Sequence, residues 1–282
     1  MIGAYIRLLR PRHWVKNLFL FAAPFFGGTL FREDILLLAF PVFLSFSLCA
    51  SSVYIINDIL DREKDRHHPK KRQRPVASGA ISPRKALSVM IFLLIPSLYL
   101  SLMIEKGFFL YIVLYLLIQM AYSIRFKNIA ILDIFCIAAG FVIRVLAGGE
   151  AFNIRVSPWL FSTMFMISLV LASGKRLSET EELKENASLH RESLFYYSKG
   201  LLKSMLIISS SASLISYALY TIEQSSGLVY TLPVVTFGLF RYLLVSEKGL
   251  GDATEAMLRD RPLAFTVMLW IAVVWFLRYS SV

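Results

Sequence analysis

The stretch ILLLAFPVFLSFSLCASSVYII (Ile35–Ile56) runs for 22 residues without a charge and opens directly into NDILDREKD (Asn57–Asp65). About 20 apolar residues cross a bilayer core as a helix. The first string therefore reads as a membrane span, and the second marks where it leaves the membrane. Continued as a helix, Asn57, Asp61 and Asp65 recur every four residues and Asp58 stands three before Asp61, which gathers all four into one polar stripe. Like charges at this spacing repel, so something must neutralise them. Carboxylates presented this way suit Mg2+, which takes one or two protein oxygens and completes its octahedron with water and substrate phosphate. A solvated acidic turn balanced by Arg62, Lys64 and Arg66 is the competing reading. The membrane boundary and the aligned Asn57 weigh against it.

Further charge-free windows follow the same rule: Ala86–Ile104, Gly107–Ile124, Val156–Gly174 and Ser204–Ile222, with Gln224–Phe240 continuing past Arg241. Ile131–Gly149 is apolar apart from Asp133 and Arg144. Asn17–Phe31 and Leu263–Leu277 are shorter, and they cross only with Trp14 and Lys16, or Arg278 and Tyr279, as interfacial anchors. The expectation is an all-α polytopic membrane protein of about nine transmembrane helices, a single transmembrane domain over residues 1–282. Residues 1–13 are expected to form an interfacial amphipathic helix. The composition agrees: 57% of the chain is hydrophobic and only 17% charged, too few charges for a water-facing surface of this size. Secreted disulfide scaffolds, nucleic-acid-binding domains and coiled coils are excluded on the same ground.

A net charge of +11 on such a chain needs a location. With nine spans, the N-terminus and the loops at about 57–85, 125–133, 175–203 and 247–262 share one side. That side holds 24 of the 30 Lys and Arg and 14 of the 19 Asp and Glu. The excess of cations puts it in the cytoplasm and the C-terminus outside a cell membrane. Orientation alone calls for cations without so many anions, so the mixture points to a site using both. A transporter would instead carry its ionisable groups near the midplane on broken helices.

A second acidic set, Glu179, Glu181 and Glu182, follows Gly174-Lys175-Arg176, and Asp252 and Glu255 form a third. Lys16, Arg72, Arg74, Arg125, Lys127, Lys175 and Arg176 all fall within a turn or two of an inner boundary. Arg can clamp phosphate with two parallel hydrogen bonds and Lys supplies a point charge; topology and lipid headgroups are the competing explanation for each one singly. Arg144, inside a span, is expected to face a polar cavity, since a lipid-facing charge is costly. Asp133 lies eleven residues earlier on the same face; a buried structural pair with it is the competing reading, weakened by a separation of roughly 16 Å along the axis. Cys49 and Cys136 fall in spans with no disulfide indicated, and His13, His67, His68 and His190 lack zinc spacing. Asn186-Ala187-Ser188 is a glycosylation sequon by letters, silent if cytoplasmic.

The string Asn57–Asp65, followed by Arg74-Pro75-Val76-Ala77-Ser78-Gly79-Ala80-Ile81-Ser82, resembles the NDxxDxxxD and RPxxSGxIS signature of the UbiA-type intramembrane prenyltransferase superfamily. The segments Leu9–Asn17, Tyr122–Lys127, Gly140–Val145 and Gly174–Arg176 are similar to one branch of it, the decaprenyl-phosphate phosphoribosyltransferases. One departure fits that branch. Aromatic prenyltransferases of the superfamily usually carry a second Asp-rich motif after the sixth span, whereas here Glu179, Glu181 and Glu182 stand behind Gly-Lys-Arg. The resemblance implies a UbiA-type helical bundle with cytoplasmic Asp-rich loops. It implies transfer of 5-phosphoribose from 5-phosphoribosyl 1-diphosphate to a polyprenyl phosphate, releasing diphosphate, for cell-wall arabinose precursors. It also implies Mg2+ on Asn57, Asp58, Asp61 and Asp65, with Asp58, Asp61 and Asp65 catalytic. Lys16, Asn17, Arg74, Tyr122, Arg125, Lys127, Arg144, Lys175, Arg176 and Glu179 would bind substrate. The partners are then the two substrates and the membrane, with no nucleic acid and with homo-oligomerisation left open. Prenyl transfer to a quinone-type aromatic acceptor is the alternative.

Overall fold

The sequence is all span and short connection, and the computed structural model is correspondingly helical throughout its regular structure. It describes residues 2–67, 71–183, 192–224 and 227–279. His68, Glu185, His190 and the 186–188 sequon lie outside the described residues. The α-helices are α1 (Ile2–Leu9), α2 (Ala22–Phe26), α3 (Glu33–Leu60), α4 (Arg62–Arg66), α5 (Pro83–Ile104), α6 (Lys106–Ile124), α7 (Leu132–Ala151), α8 (Pro158–Leu183), α9 (Lys199–Glu223), α10 (Leu232–Glu247), α11 (Ala253–Arg259) and α12 (Arg261–Tyr279). Eight of the helical segments among the described residues are long and apolar enough to cross a membrane.

The segment of the expected ninth span, Asn17–Phe31, is not among them. Pro11 starts a 3₁₀ helix that runs to Phe21 and passes into the short α2. The tighter helix rises about 2 Å per residue against about 1.5 Å in an α-helix, so residues 11–21 advance about 22 Å. Eleven residues is long for a 3₁₀ helix. Its three-residue turn places Trp14, Asn17 and Leu20 in one row, and the two buried residues of this helix, Asn17 and Leu20, both lie in it.

The chain divides into two compact units. The first comprises Met1–Pro24, Thr29–Phe126 and Ile143–Arg155. Its main core gathers Leu20, Val42, Phe46, Ile112, Tyr115 and Ala147. Within it α3 packs on α5 through small residues. Ser45 and Ser97 each donate to the other's carbonyl at 2.9 and 2.7 Å, and Ser52 donates to the Met90 carbonyl at 3.3 Å. In lipid, where no hydrophobic force pulls helices together, close backbone approach and such bonds do the work. A separate cluster seats α1, through Leu8, against Ile55, Val76 and Ile81.

The second unit comprises Phe25–Gly28, Lys127–Val142 and Val156–Val282. Here α8 packs along α9, with Ser168, Ser173, Ser209 and Ser213 buried. Its core joins Ile134, Val170, Leu177, Leu202, Leu206, Tyr242 and Val245. Gly174 and Gly251 permit an unusually close approach: a Cβ on Gly251 would meet the Gly174 carbonyl oxygen at 1.9 Å. Tyr242 locks that contact by donating to the Gly251 carbonyl at 2.7 Å.

Candidate active site

In the first unit the acidic stripe sits on the last turn of α3 and on α4, as its spacing predicts. Asp58 is 1% exposed and Asp65 is also buried, while Asn57 and Asp61 are partly exposed. Two guanidiniums interleave with the buried pair. Arg10 donates to Asp58, and Arg74 lies 3.2 Å from Asp58 and 2.6 Å from Asp65. The result is a chain of alternating charge: Arg10, Asp58, Arg74, Asp65. Breaking one partner of a buried pair strands the other charge, so these four stand or fall together. Burial holds the Arg10 guanidinium below its usual range, with Asp58 opposing. Arg10 also lies over the Tyr54 ring at 5.1 Å and adopts a left-handed backbone (φ 52°) that a non-glycine residue occupies only when surroundings compel it.

Below Arg10, the 3₁₀ helix reads one face of α3. Trp14 donates to Ser51 at 3.0 Å and Asn17 to Ser47 at 2.9 Å, while Ser51 donates to the Leu9 carbonyl at 2.9 Å. Arg144 then closes the row from α7, donating to Asn17 Oδ1 at 2.8 Å and to the Tyr115 hydroxyl at 3.1 Å. Its guanidinium lies over the rings of Phe46 (5.0 Å) and Tyr115 (4.8 Å). Arg144 is 4% exposed, enclosed by these polar groups and rings. Lys16 and Tyr122 are partly exposed and Arg125 is exposed.

In the second unit the expected residues gather around Asp133. This carboxylate, 0% exposed in the first turn of α7, accepts from Arg176 Nε at 2.6 Å, the Tyr197 hydroxyl at 2.5 Å, Ser193 Oγ at 3.3 Å and the Ile134 amide at 2.9 Å. Arg176 is also 0% exposed, and its second arm reaches Glu179 at 2.5 Å. A fully buried arginine gripping two carboxylates acts as an internal strut. Lys175, next to it, is partly exposed, 3.6 Å from Asp252. Lys127 is buried, its carbonyl accepting from Ser193 at 2.9 Å. Burial, and then the hydrogen bond to Asp133, push the Tyr197 phenol above its usual pKa.

Sequence reasoning missed Arg10, Tyr197 and Ser193. Arg10 and Asp58 are 48 residues apart and Tyr197 and Asp133 are 64 apart, distances no local pattern bridges. Asp133 and Arg144 are each bound to side chains of their own unit.

Among the described residues, no cluster of three or more His, Cys, Asp or Glu side chains is poised to hold a metal by itself. One observation nevertheless fits a cation at the stripe: the second oxygen of Asp58, Oδ2, is buried and accepts no hydrogen bond among the described residues. A buried carboxylate oxygen in that state is costly unless a donor or cation reaches it.

The fold and these clusters define a polytopic helical membrane protein that concentrates buried carboxylates and guanidiniums at helix ends. The chain belongs to the UbiA prenyltransferase family, whose model matches residues 17–270. It is 33% identical to the decaprenyl-phosphate phosphoribosyltransferase of Mycobacterium tuberculosis over 97% of this chain and 94% of that protein. It is 32% identical to the protein of the same name from Mycolicibacterium smegmatis over 97% and 92%. Its fold matches the structure of a UbiA homologue from Archaeoglobus fulgidus bound to DMAPP and Mg2+, with a TM-score of 0.77, 24% identity and 99% of each chain covered.

Proposed function

We propose that this chain transfers 5-phosphoribose from 5-phosphoribosyl 1-diphosphate to a polyprenyl phosphate of decaprenyl type. The carrying observation is the alternation of two guanidiniums with two buried carboxylates in Arg10–Asp58–Arg74–Asp65. Such a site can take both a cation and several phosphate groups, and this donor presents a diphosphate and a separate 5-phosphate. The near full-length likeness to decaprenyl-phosphate phosphoribosyltransferases supports the choice of donor and acceptor.

Asn57, Asp58, Asp61 and Asp65 would hold Mg2+, with Asp58 Oδ2 the oxygen that lacks a partner in the chain itself. Bound there, Mg2+ would neutralise charge growing on the departing diphosphate. The bond between ribose C1 and the diphosphate oxygen breaks with its electron pair leaving on diphosphate, and an acceptor phosphate oxygen forms the new bond to C1. That oxygen is already anionic, so the reaction needs no general base, in keeping with carboxylates that are paired to guanidiniums. In the first unit Arg10, Arg74, Lys16 and Arg125 are the cations offered to substrate phosphate, with Tyr122 beside them in the sequence; in the second unit Lys127 and Lys175 are. Arg176, buried on Asp133 and Glu179, serves by fixing Glu179. Asn17 and Arg144 fix the 3₁₀ helix that carries Lys16. The cytoplasmic side of the cell membrane, with the C-terminus outside, is the setting that the distribution of Lys and Arg supports.

Membranes containing the chain, incubated with labelled 5-phosphoribosyl 1-diphosphate or with labelled prenyl diphosphate, distinguish the two readings. Label entering lipid from the first donor and not from the second is the expected result. The reverse result, with label on a quinone-type aromatic acceptor, establishes the prenyltransferase alternative.

A further inference from the structure

The short segment Glu192–Tyr196 and the tyrosine that follows it belong to no motif of the site, yet Ser193 and Tyr197 are bound into the second unit's charged cluster. Ser193 is 0% exposed and bridges the Lys127 carbonyl (2.9 Å) and Asp133 (3.3 Å). The Tyr197 hydroxyl donates to Asp133 at 2.5 Å and accepts from the Ile131 amide at 2.5 Å. Ile131 has φ 68°, a left-handed conformation that is a true outlier for a β-branched residue and has to be held by its surroundings. Lys127 and Ile131 stand on either side of one short turn into α7. Ser193 therefore holds one end of this turn and Tyr197 the other, and both also hold Asp133. Through Asp133, the same hydroxyls bear on Arg176 and hence on Glu179.

We propose that Ser193 and Tyr197 are positioning residues for the transfer reaction, forming a clasp that sets Lys127 for a substrate phosphate and Glu179 for the donor. The proposal rests on the reading above that Lys127 and Glu179 meet the anionic substrates. Tyr197 itself is packed in the unit's apolar core, so its ring serves folding while its hydroxyl serves the clasp. The two contributions are separable by Tyr197→Phe, which keeps the ring and removes only the hydroxyl.

The test measures initial rates on membranes normalised for folded protein, varying 5-phosphoribosyl 1-diphosphate and, separately, Mg2+. Tyr197→Phe is expected to raise KM for the donor roughly tenfold, the effect of about one hydrogen bond, and to leave the Mg2+ concentration for half-maximal rate unchanged. Ser193→Ala should raise KM in the same way and Ser193→Thr should restore it, which also covers the case where Tyr197→Phe fails to accumulate. A purely structural role would lower the yield of folded protein and leave KM where it was; that outcome overturns the clasp. Lys127→Ala separates the two layers. If it raises KM while the Tyr197 and Ser193 variants do not, the clasp is wrong and the functional reading survives. If the wild-type chain transfers no phosphoribose, that reading fails. The clasp is then judged by hydrogen exchange over residues 126–132, which Tyr197→Phe must accelerate while leaving α10 unchanged.

Discussion

Gly148→Ala is a change of one methyl group at a helix position, where alanine normally gains up to about 1 kcal/mol over glycine. Here the expectation is the opposite. A Cβ on residue 148 would lie 1.8 Å from the Leu20 carbonyl oxygen, 2.6 Å from its carbon and 2.9 Å from its Cα, all backbone atoms of the 3₁₀ helix. Carbon and oxygen in contact need about 3.3 Å, so the two helices must part by about 1.5 Å. Leu20 is one 3₁₀ turn from Asn17, whose bonds to Ser47 and Arg144 are 2.9 and 2.8 Å. Arg144 stands on the same helix as Gly148, so this displacement takes its bond to Asn17 beyond hydrogen-bonding range. Overpacking costs about 1–3 kcal/mol, and each buried polar group stranded adds about 1–3 kcal/mol. A net loss of about 3 kcal/mol follows, which for a chain of this size lowers Tm by about 5 °C. The assay is thermal unfolding in detergent, followed by tryptophan emission because Trp14 lies in the same row, together with turnover. Gly3→Ala is the control: nothing lies within 4 Å of the place its methyl group would take, and its Tm should hold or rise. Wild-type Tm and turnover in Gly148→Ala would refute the close approach and the reasoning from it.

Three further outcomes follow from the same geometry. Asp61→Ala should abolish Mg2+-dependent transfer while membrane insertion persists; Asp61 is a cleaner probe than Asp58 or Asp65, whose removal would strand Arg10 and Arg74, and full activity would sink the metal assignment. Arg144→Lys keeps the charge but loses the fork that reaches Asn17 and Tyr115 together, so Tm should fall by several degrees, and an unchanged Tm would show that the fork does not matter. Asp260 accepts both arms of Arg241 at 2.9 and 2.7 Å, and this bond holds its carboxyl below the usual range. A depressed folded pKa contributes stability above the unfolded value and loses it as pH falls through the folded one. Tm should therefore drop on acidification below about pH 4, and Asp260→Asn should flatten that part of the profile.

The long helices can be read from the sequence because apolar length is a property of consecutive residues; α3, α5, α6 and α9 fall where the uncharged windows lie. The acidic stripe is legible for a related reason, since its members share two helical turns. What the sequence conceals is set by distant partners. Arg10 looks like one more topogenic cation, because its carboxylate is carried on another helix. Arg176 looks like a phosphate ligand until its two carboxylates fill it. Asn17–Phe31 differs in form from the expectation because an apolar run of that length reads as an α-helix. The three-residue spacing of Trp14, Asn17 and Leu20 is present in the letters, but a period of 3.6 does not register it.

That 3₁₀ form acts as a vernier. Three residues of 3₁₀ helix advance about 6 Å, and so do four residues of α-helix. Trp14 and Asn17 are three apart, and the serines they meet, Ser51 and Ser47, are four apart. Two helices of unlike pitch thus come into step, and stay in step only while each keeps its own winding. Rewound as an α-helix, residues 11–21 would shorten by about 5 Å and swing Leu20 about 120° away from the Trp14 row. The N-terminal segment therefore sets a fixed length between Asn17, deep beside Arg144, and Arg10 on the carboxylate of Asp58. Loss or gain of one residue between them would leave every side chain chemically intact and put the guanidinium out of reach of its acid.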